Sequence, residues 1–303
     1  MKLKSIIRST SFLAIIACVL WATAFVAIKI GLQYNMPFQF AGIRFFISGL
    51  LIIPFIPNLK ENMVVVIQNF PKILLVAFVQ TFLQYAFFYK GMNLVPGALG
   101  AMIIGSGPLF VAVVAHLLMP NDKLTRRKVI SIVLGLMGIV IISFGRNKMG
   151  VAGPLVSIGI LILIGNNILG GLGNILVASD KRRIPPLVFS SLSMIIGGVS
   201  LFILGLVTEG YQAGPFPTEY YLSLGWLSFL SAAAFSIWYT LLRRPGVKVS
   251  DLNMWKFIVP LLGAVLSWIL LPDENPTFLA IVGMVLIALS LVALNWQIKK
   301  RGL

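Results

Sequence analysis

Apolar residues run along this chain in long, nearly unbroken stretches that short polar segments separate. A helix needs about 20 apolar residues to cross a hydrocarbon core about 30 Å thick, because each residue adds about 1.5 Å. Ten stretches reach that length, near residues 12–32, 38–57, 71–90, 97–119, 126–145, 154–177, 185–207, 220–241, 250–271 and 277–297. The pattern predicts an all-α membrane protein of ten transmembrane helices, with the lipid bilayer as its surroundings.

The second half of the chain repeats the first at an offset of 152 residues. The residues that recur are Pro108, Leu109, Val113, Leu118, Pro120, Thr125, Val133, Leu134 and Val140, which return as Pro260, Leu261, Val265, Leu270, Pro272, Thr277, Val285, Leu286 and Val292. The chain therefore divides into two five-helix repeats, 1–148 and 149–303, within one integral membrane domain. Because each repeat has an odd number of crossings, the second enters the bilayer inverted, an arrangement typical of secondary transporters.

Composition and charge agree with a membrane location. Hydrophobic residues make up 59% of the chain and charged residues 11%, with a mean hydropathy of +1.00, whereas about a quarter of a soluble domain is charged. Of the 24 lysines and arginines, eighteen fall at the two termini and in alternate loops, and three fall in the remaining loops. The positive-inside rule then predicts a multi-pass protein of the cell (inner) membrane with both termini cytoplasmic. A net charge of +16 spread in this way offers no contiguous basic face, so no nucleic-acid partner is expected.

The N-terminus has a basic start and an apolar run that resemble a secretion signal. The apolar sequence continues through Trp21 and Ile30, which is too long for a signal core, and its removal would leave the first repeat with four spans. We expect it to be retained. Cys18 is the single cysteine of the sequence, so an intrachain disulfide and a thiolate metal cluster are both excluded.

Catalytic side chains are scarce inside the predicted spans. All eight carboxylates lie in loops or at span ends, and the single histidine, His116, lies near the end of the fourth span. The interior therefore lacks the paired acids or histidine clusters that an intramembrane hydrolase or metalloenzyme needs. The sequence predicts no enzyme activity, no catalytic residue, no bound metal and no cofactor.

Polar side chains instead gather near mid-membrane depth on several spans. The candidate substrate-binding residues are Trp21, Gln80, Gln84, Tyr85, Ser106, Asn167 and Lys256, and Thr81 and Asn166 lie at the same depth. Unpaired amides in hydrocarbon cost several kcal/mol, so these groups must face other helices or a wet cavity. Hydrogen bonds that merely hold the helices together are the alternative. The concentration at one depth favours a cavity.

Three cations fall within the spans. Lys256 is the deepest, and since no carboxylate shares its depth, its ammonium must meet carbonyls, water or a bound anion. Lys29 and Arg44 lie in the predicted outer half, which favours side chains that extend to the membrane surface.

Two prolines, Pro108 and Pro260, occupy matching positions of the repeats and predict breaks in the fourth and ninth helices. Each removes a backbone hydrogen bond, which would free the carbonyls of Ile104 and Lys256. Interrupted helices at corresponding positions of two halves indicate a transport site. A simple packing kink is the alternative interpretation.

Several of these segments together resemble EamA-type transporters of the drug/metabolite transporter superfamily. The matching segments are Leu20 to Phe25, Arg44, Phe88 to Gly91, Ser106 to Phe110, Asp122 to Thr125, Trp238-Tyr239, Lys256 to Pro260 and Pro272 to Glu274. The resemblance covers essentially the whole chain. It implies two inverted five-helix repeats around a central cavity for small metabolites. The chain departs from the usual Gly-Glu after the fourth and ninth helices, with Asn121-Asp122 and Asp273-Glu274 in their place.

Taken together, these features predict a secondary transporter that moves a small-molecule substrate by alternating access, as an exporter of amino acids or similar metabolites. Three alternatives stay open: a carrier of nucleotide sugars or other anionic metabolites that uses the span cations, a membrane scaffold without transport, and a passive facilitator. The sequence leaves the substrate, the coupling ion and the oligomeric state open, a homodimer included.

Overall fold

The computed structural model describes residues 9–120, 122–145, 153–180, 184–272 and 274–295, and every regular element within these ranges is a helix. Eight helical segments of this part of the chain are long and apolar enough to cross a membrane. The fold class is therefore all-α and membrane-spanning, as predicted. The two remaining predicted spans correspond to shorter apolar helices, so the count of ten remains a prediction.

The described residues of the first half form seven α-helices with two irregular helical segments between them. They are α1 (Thr10–Gly31), α2 (Pro37–Ile52), a 3₁₀ turn (Ile53–Phe55), α3 (Leu59–Val76), a π-helical segment (Ala77–Leu83), α4 (Gln84–Leu94), α5 (Gly97–Gly105), α6 (Gly107–Leu118) and α7 (Arg126–Gly145). Helix α1 begins where the Ser9 side chain accepts a hydrogen bond from the Phe12 N–H, a common N-cap. Helices α3 and α4 run through the π segment as one crossing, Lys60–Leu94.

In the second half, the part of the chain that the structure describes forms six α-helices. They are α8 (Pro154–Ala178), α9 (Pro186–Thr208), α10 (Thr218–Leu242), α11 (Val249–Asn253), a 3₁₀ turn (Met254–Phe257), α12 (Ile258–Leu270) and α13 (Phe278–Asn295). Prolines begin α8 and α9, where the missing N–H costs nothing because the first helical N–H groups have no intrahelical acceptor. The predicted fourth and ninth spans are both broken, the fourth between α5 and α6 and the ninth between α11 and α12.

Helices of the first half pack chiefly on helices of the second. The most extensive contacts join α2 to α9, α7 to α13, α1 to α10, α4 to α8, and α5 to α12. Glycines allow the closest approach, since a Cβ on Gly42 of α2 would lie 2.6 Å from the backbone nitrogen of Phe202, and one on Gly198 of α9 would lie 2.6 Å from that of Phe46. These two helices thus meet backbone to backbone.

The loops fall into two groups that lie at opposite ends of the helix bundle. At one end, Arg243 forms an ion pair with Asp180 at 3.2 Å, and Arg244 donates to Thr10 at 3.0 Å. At the other end, Asn35 donates to the Tyr220 hydroxyl at 2.9 Å, and the Phe38 N–H donates to Glu209. Each contact joins loops that the charge pattern assigns to the same side of the membrane.

Two carboxylates cap helices in the other half of the chain. Asp122, after α6, accepts from the Ser250 N–H at 3.1 Å and from the Ser250 hydroxyl at 2.6 Å, at the start of α11. Glu274, after α12, accepts from the N–H groups of Gly97 and Ala98, the latter at 2.7 Å, at the start of α5. Asp122 and Glu274 are 152 residues apart, as are Ala98 and Ser250. The two broken helices therefore hold each other at both ends.

Candidate functional site

A cavity of about 100 Å³ lies inside the bundle. The elements that converge on it include α1, the π segment, α4, α8, α10 and the 3₁₀ turn Met254–Phe257. Six of the seven predicted substrate-binding residues line it: Trp21, Gln80, Gln84, Tyr85, Asn167 and Lys256. Asn166 and Arg44 also line it, together with the aromatic rings of Phe25, Phe88, Phe235 and Trp238. Thr81 does not reach the cavity, because it packs against Gly197 on α9.

Ser106, the seventh predicted residue, lies behind the cavity wall. It forms the break between α5 and α6, and its hydroxyl donates to the Ile103 carbonyl at 2.6 Å. The Asn167 amide donates to the same carbonyl at 2.8 Å and lies 3.4 Å from the Ser106 Oγ. The prediction named the Ile104 carbonyl as the group freed by Pro108, whereas the carbonyl that gains side-chain partners is that of Ile103.

Neither predicted helix-breaking proline lines the cavity. Pro108 begins α6, and Pro260 packs against Gly105, where any Cβ would collide with its ring. The Met254–Phe257 segment forms a 3₁₀ turn, after which the Ile258 N–H donates to the carbonyls of Trp255 and Lys256. The Lys256 carbonyl thus keeps a backbone donor, contrary to prediction. Both prolines lie at the crossing of the broken helices.

The Lys256 ammonium lies between two indole rings. Its nitrogen is 4.8 Å from the centroid of the Trp238 ring and 5.1 Å from that of Trp21, and the two rings meet edge to face at 4.9 Å. Attraction between a cation and an aromatic face is strengthened where water is excluded. Carbonyls, water or an anion were the partners predicted for this ammonium, and Trp238 was not predicted as one. Because no described carboxylate pairs with Lys256, its charge remains available to a ligand.

Arg44 also belongs to the cavity, which corrects the prediction that its side chain extends to the membrane surface. Its side chain is 1% exposed. The Nε and Nη2 atoms both donate to the Ser231 hydroxyl, at 3.0 and 2.7 Å, and Nη1 donates to the Tyr89 hydroxyl at 2.7 Å. The guanidinium carbon lies 4.8 Å from the centroid of the Phe45 ring. A guanidinium fork that usually meets a carboxylate here meets a neutral hydroxyl.

Lys29 lies apart from the cavity. Its ammonium donates to the carbonyls of Met92 and Val95, at 3.0 and 2.8 Å, at the end of α4. There it lines a second cavity, which contains Glu274. Lys29 is thus part of the helix-end structure around the Glu274 cap.

Several polar atoms around the main cavity have no partner among the described residues. They are the indole nitrogens of Trp21 and Trp238 and the side-chain oxygens of Gln80 and Gln84. The Gln80 amide nitrogen lies 3.4 Å from the Asn174 oxygen, and Asn174 in turn donates to Asn253 of α11 at 2.9 Å. Buried polar groups normally find partners. Two donors and two acceptors without a described partner are therefore buried in residues that line the cavity.

The remaining candidates for chemistry are structural. The His116 Nδ1 accepts from the Leu124 N–H at 3.0 Å, and the Lys123 ammonium donates to the His116 carbonyl at 3.0 Å. Within the described ranges, no group of three or more metal-ligating side chains occurs. The arrangement can bind and enclose a small polar molecule.

The family model described as the EamA-like transporter family matches residues 8–144 and again residues 157–296. An uncharacterized transporter of Bacillus subtilis, YvbV, is 28% identical over 96% of this chain and 92% of its own length. A protein of Escherichia coli named as a probable amino-acid metabolite efflux pump is 27% identical over 96% of this chain and 97% of its own length. A solved crystal structure aligns with a TM-score of 0.72 at 19% identity, over 97% of this chain and 99% of that one, which shows the shared fold. The two family matches cover nearly all of the chain, which therefore belongs to the EamA-like transporter family and is a multi-pass membrane transporter.

Proposed function

We propose that this protein is a secondary transporter that exports amino acids or similar small metabolites across the cell membrane by alternating access. The observation that carries the proposal is the cavity, to which both halves of the chain contribute polar groups. Gln84 comes from the first half, and Asn167 and Lys256 come from the second. A site formed where two repeats meet at mid-depth is typical of secondary transporters. The efflux pump named above supports export and an amino-acid-like substrate.

The inverted-repeat arrangement is part of this proposal, with residues 1–148 and 149–303 as the two units. Exchange of each helix with its counterpart 152 residues away converts the α1–α10 contact into the α4–α8 contact and the α5–α12 contact into the α6–α11 contact. It maps the α2–α9 and α7–α13 contacts onto themselves. A two-fold axis between inverted repeats predicts this set of pairs. The paired caps by Asp122 and Glu274 follow the same exchange.

The orientation, with both termini cytoplasmic, rests on the distribution of lysine and arginine. In this orientation the ends of α1 and α10 that Arg244 joins to Thr10 face the cytoplasm. The loop that contains Glu209 faces outward.

Reconstituted protein tests the proposal directly. Purified protein is screened for thermal stabilisation by amino acids, nucleotide sugars and cationic drugs, and the best ligand is then followed into and out of proteoliposomes. We expect stabilisation by a small metabolite and counterflow across the membrane. Uptake that lacks counterflow would indicate a passive channel, and the absence of both binding and flux across the screen would favour a scaffold and refute the proposal.

A further inference from the structure

Two cations line the main cavity, Arg44, which is buried, and Lys256, which is partly buried, and no carboxylate is among the described residues that line it. Neither Arg44 nor Lys256 forms an ion pair in the described part of the chain; their partners are hydroxyls and aromatic rings. A buried charge without a counterion leaves a strong local field, since the low dielectric screens it poorly. The described lining of the cavity therefore carries positive charge that no carboxylate balances.

The unpartnered polar atoms specify the rest of the ligand. The side-chain oxygens of Gln80 and Gln84 can accept hydrogen bonds, while the indole N–H groups of Trp21 and Trp238 can donate them. An amide oxygen does not need a charged donor, because it can accept a hydrogen bond from a neutral N–H or O–H group. An ammonium would bring a third positive charge next to Lys256 and Arg44, with no carboxylate lining the described wall to balance it.

We propose that the substrate has a net negative charge: a small carboxylate with an apolar body and a neutral N–H or O–H donor, such as an N-acylated or hydroxy-acid derivative of an apolar amino acid. The carboxylate binds toward Lys256 and Arg44 and accepts from the indole N–H groups. The neutral donor binds the glutamine oxygens. This inference rests on the proposed transport function and narrows its substrate class from amino acids to their anionic derivatives.

A matched series of four probes tests the charge preference on one apolar body. N-acetylleucine carries a charge of −1, leucine is zwitterionic, leucinamide carries +1, and N-acetylleucinamide is neutral. We expect N-acetylleucine to bind at least roughly tenfold more tightly than leucine, the equivalent of one charge-assisted hydrogen bond, and leucinamide to bind weakest. In the Lys256→Met and Arg44→Met variants, the ratio of N-acetylleucine to leucine affinity should fall toward one.

The outcomes separate this inference from the proposed function. Leucine binding that equals or exceeds N-acetylleucine binding, with flux intact, would overturn the anionic substrate class while transport stands. Binding of none of the probes, and of no other metabolite in the screen, would overturn transport itself. If Arg44→Met fails to fold, Arg44→Lys keeps the charge and the Lys256→Met result alone decides.

An independent observation concerns the two caps at the ends of the broken helices. Asp122 holds the start of α11 at one end of the bundle, and Glu274 holds the start of α5 at the other. Each contact joins the two repeats, and each lies beyond the cavity on its own side. A path from the cavity to either membrane face must separate the two repeats at that end, so it must break the cap there.

The geometry points to these carboxylates as paired latches, each of which stabilises closure of its own face. Because hydrogen bonds from backbone N–H groups to a carboxylate are charge-assisted, loss of either charge should shift the conformational equilibrium toward opening on the side of the lost charge. Glu274→Gln and Asp122→Asn keep side-chain size and one acceptor oxygen, which limits their effect on the fold.

Accessibility of a cysteine in the cavity measures the shift. In a Cys18→Ser background with Gln84→Cys, an impermeant reagent is applied from each side of oriented vesicles. We expect Glu274→Gln to raise labelling severalfold from the side of the 271–277 loop, and Asp122→Asn to raise it from the other side. Changes in the same direction, or a lower melting temperature with unchanged labelling, would show that the caps only stabilise the helices.

Discussion

Replacement of Asn167 with leucine separates a binding role from a packing role at the cavity. The Asn167 amide lines the cavity and also donates to the Ile103 carbonyl at 2.8 Å. Leucine has a similar size but removes both functions. A suitable control is Ser191→Ala, because the Ser191 hydroxyl makes an equally short interhelical bond, 2.8 Å to the Gly49 carbonyl, away from the cavity.

The structure sets the size of the stability effect. Interhelical side-chain hydrogen bonds in membrane proteins contribute on average about 0.6 kcal/mol and at most about 1.7 kcal/mol. The Ile103 carbonyl would still accept from the Ser106 N–H at 3.1 Å and from its hydroxyl at 2.6 Å. We therefore expect Asn167→Leu to lower the free energy of unfolding by about 0.6 kcal/mol, in line with Ser191→Ala.

The effect on transport should differ between the two variants. A lost hydrogen bond to a substrate weakens binding by about 0.5–1.5 kcal/mol, which corresponds to roughly two- to twelvefold in affinity. Asn167→Leu should lose that much affinity, and Ser191→Ala should lose none. Thermal unfolding in detergent and substrate affinity in proteoliposomes measure the two quantities. If Asn167→Leu transports with normal affinity while both variants melt earlier, the side chain only holds helices together and the binding role is refuted.

Three further predictions test orientation, packing and the cavity cation. In a Cys18→Ser background, an impermeant reagent should label Ala213→Cys but not Glu61→Cys from outside intact cells; the reverse pattern would invert the topology. Gly42→Ala should destabilise the protein by about 1–3 kcal/mol, because its Cβ would meet the α9 backbone and overpacking costs that much. The control Gly225→Ala meets nothing within 4 Å and should be neutral or slightly stabilising. Equal melting temperatures of the two variants would contradict the close packing of α2 and α9. Lys256→Met should weaken binding of a carboxylate ligand by about 1.5–3 kcal/mol, with little loss of stability in thermal unfolding without ligand. Unchanged affinity with a large loss of stability would show that Lys256 is structural.

Depth in the membrane could be predicted from the sequence because each span has a fixed rise per residue. Counting inward from the loops brought six of seven candidate residues to one cavity, Gln84, Asn167 and Lys256 among them. The face that each helix turns inward could not be predicted in the same way, because these helices carry apolar residues around their whole circumference. Thr81 shares the depth of its neighbour Gln80 but faces α9, and Arg44 turns inward to Ser231 rather than toward the surface.

For the same reason, the sequence could not predict which side chains of other helices contact the site residues. Trp238 lies on α10 and Trp21 lies far along the chain on α1, and the packing of α1 on α10 brings the two rings together beside the ammonium. The break at Ser106, in contrast, could be predicted from Pro108. The choice of the Ile103 carbonyl as acceptor depends on where α8 places Asn167.

The distribution of charge by depth shows how the fold and the site divide the ionisable residues. The described acidic side chains lie at helix ends, where Asp122 and Glu274 neutralise the positive ends of α11 and α5 in the other half of the chain, so their charges stabilise the bundle. The cavity cations Arg44 and Lys256 have neutral partners instead. Where the described carboxylates lie at the faces of the bundle and the central cations have no counterion among the described residues, an anion at the centre has to be bound from outside. Burial of an uncompensated charge is costly, and a ligand that supplies the missing negative charge recovers part of that cost when it binds.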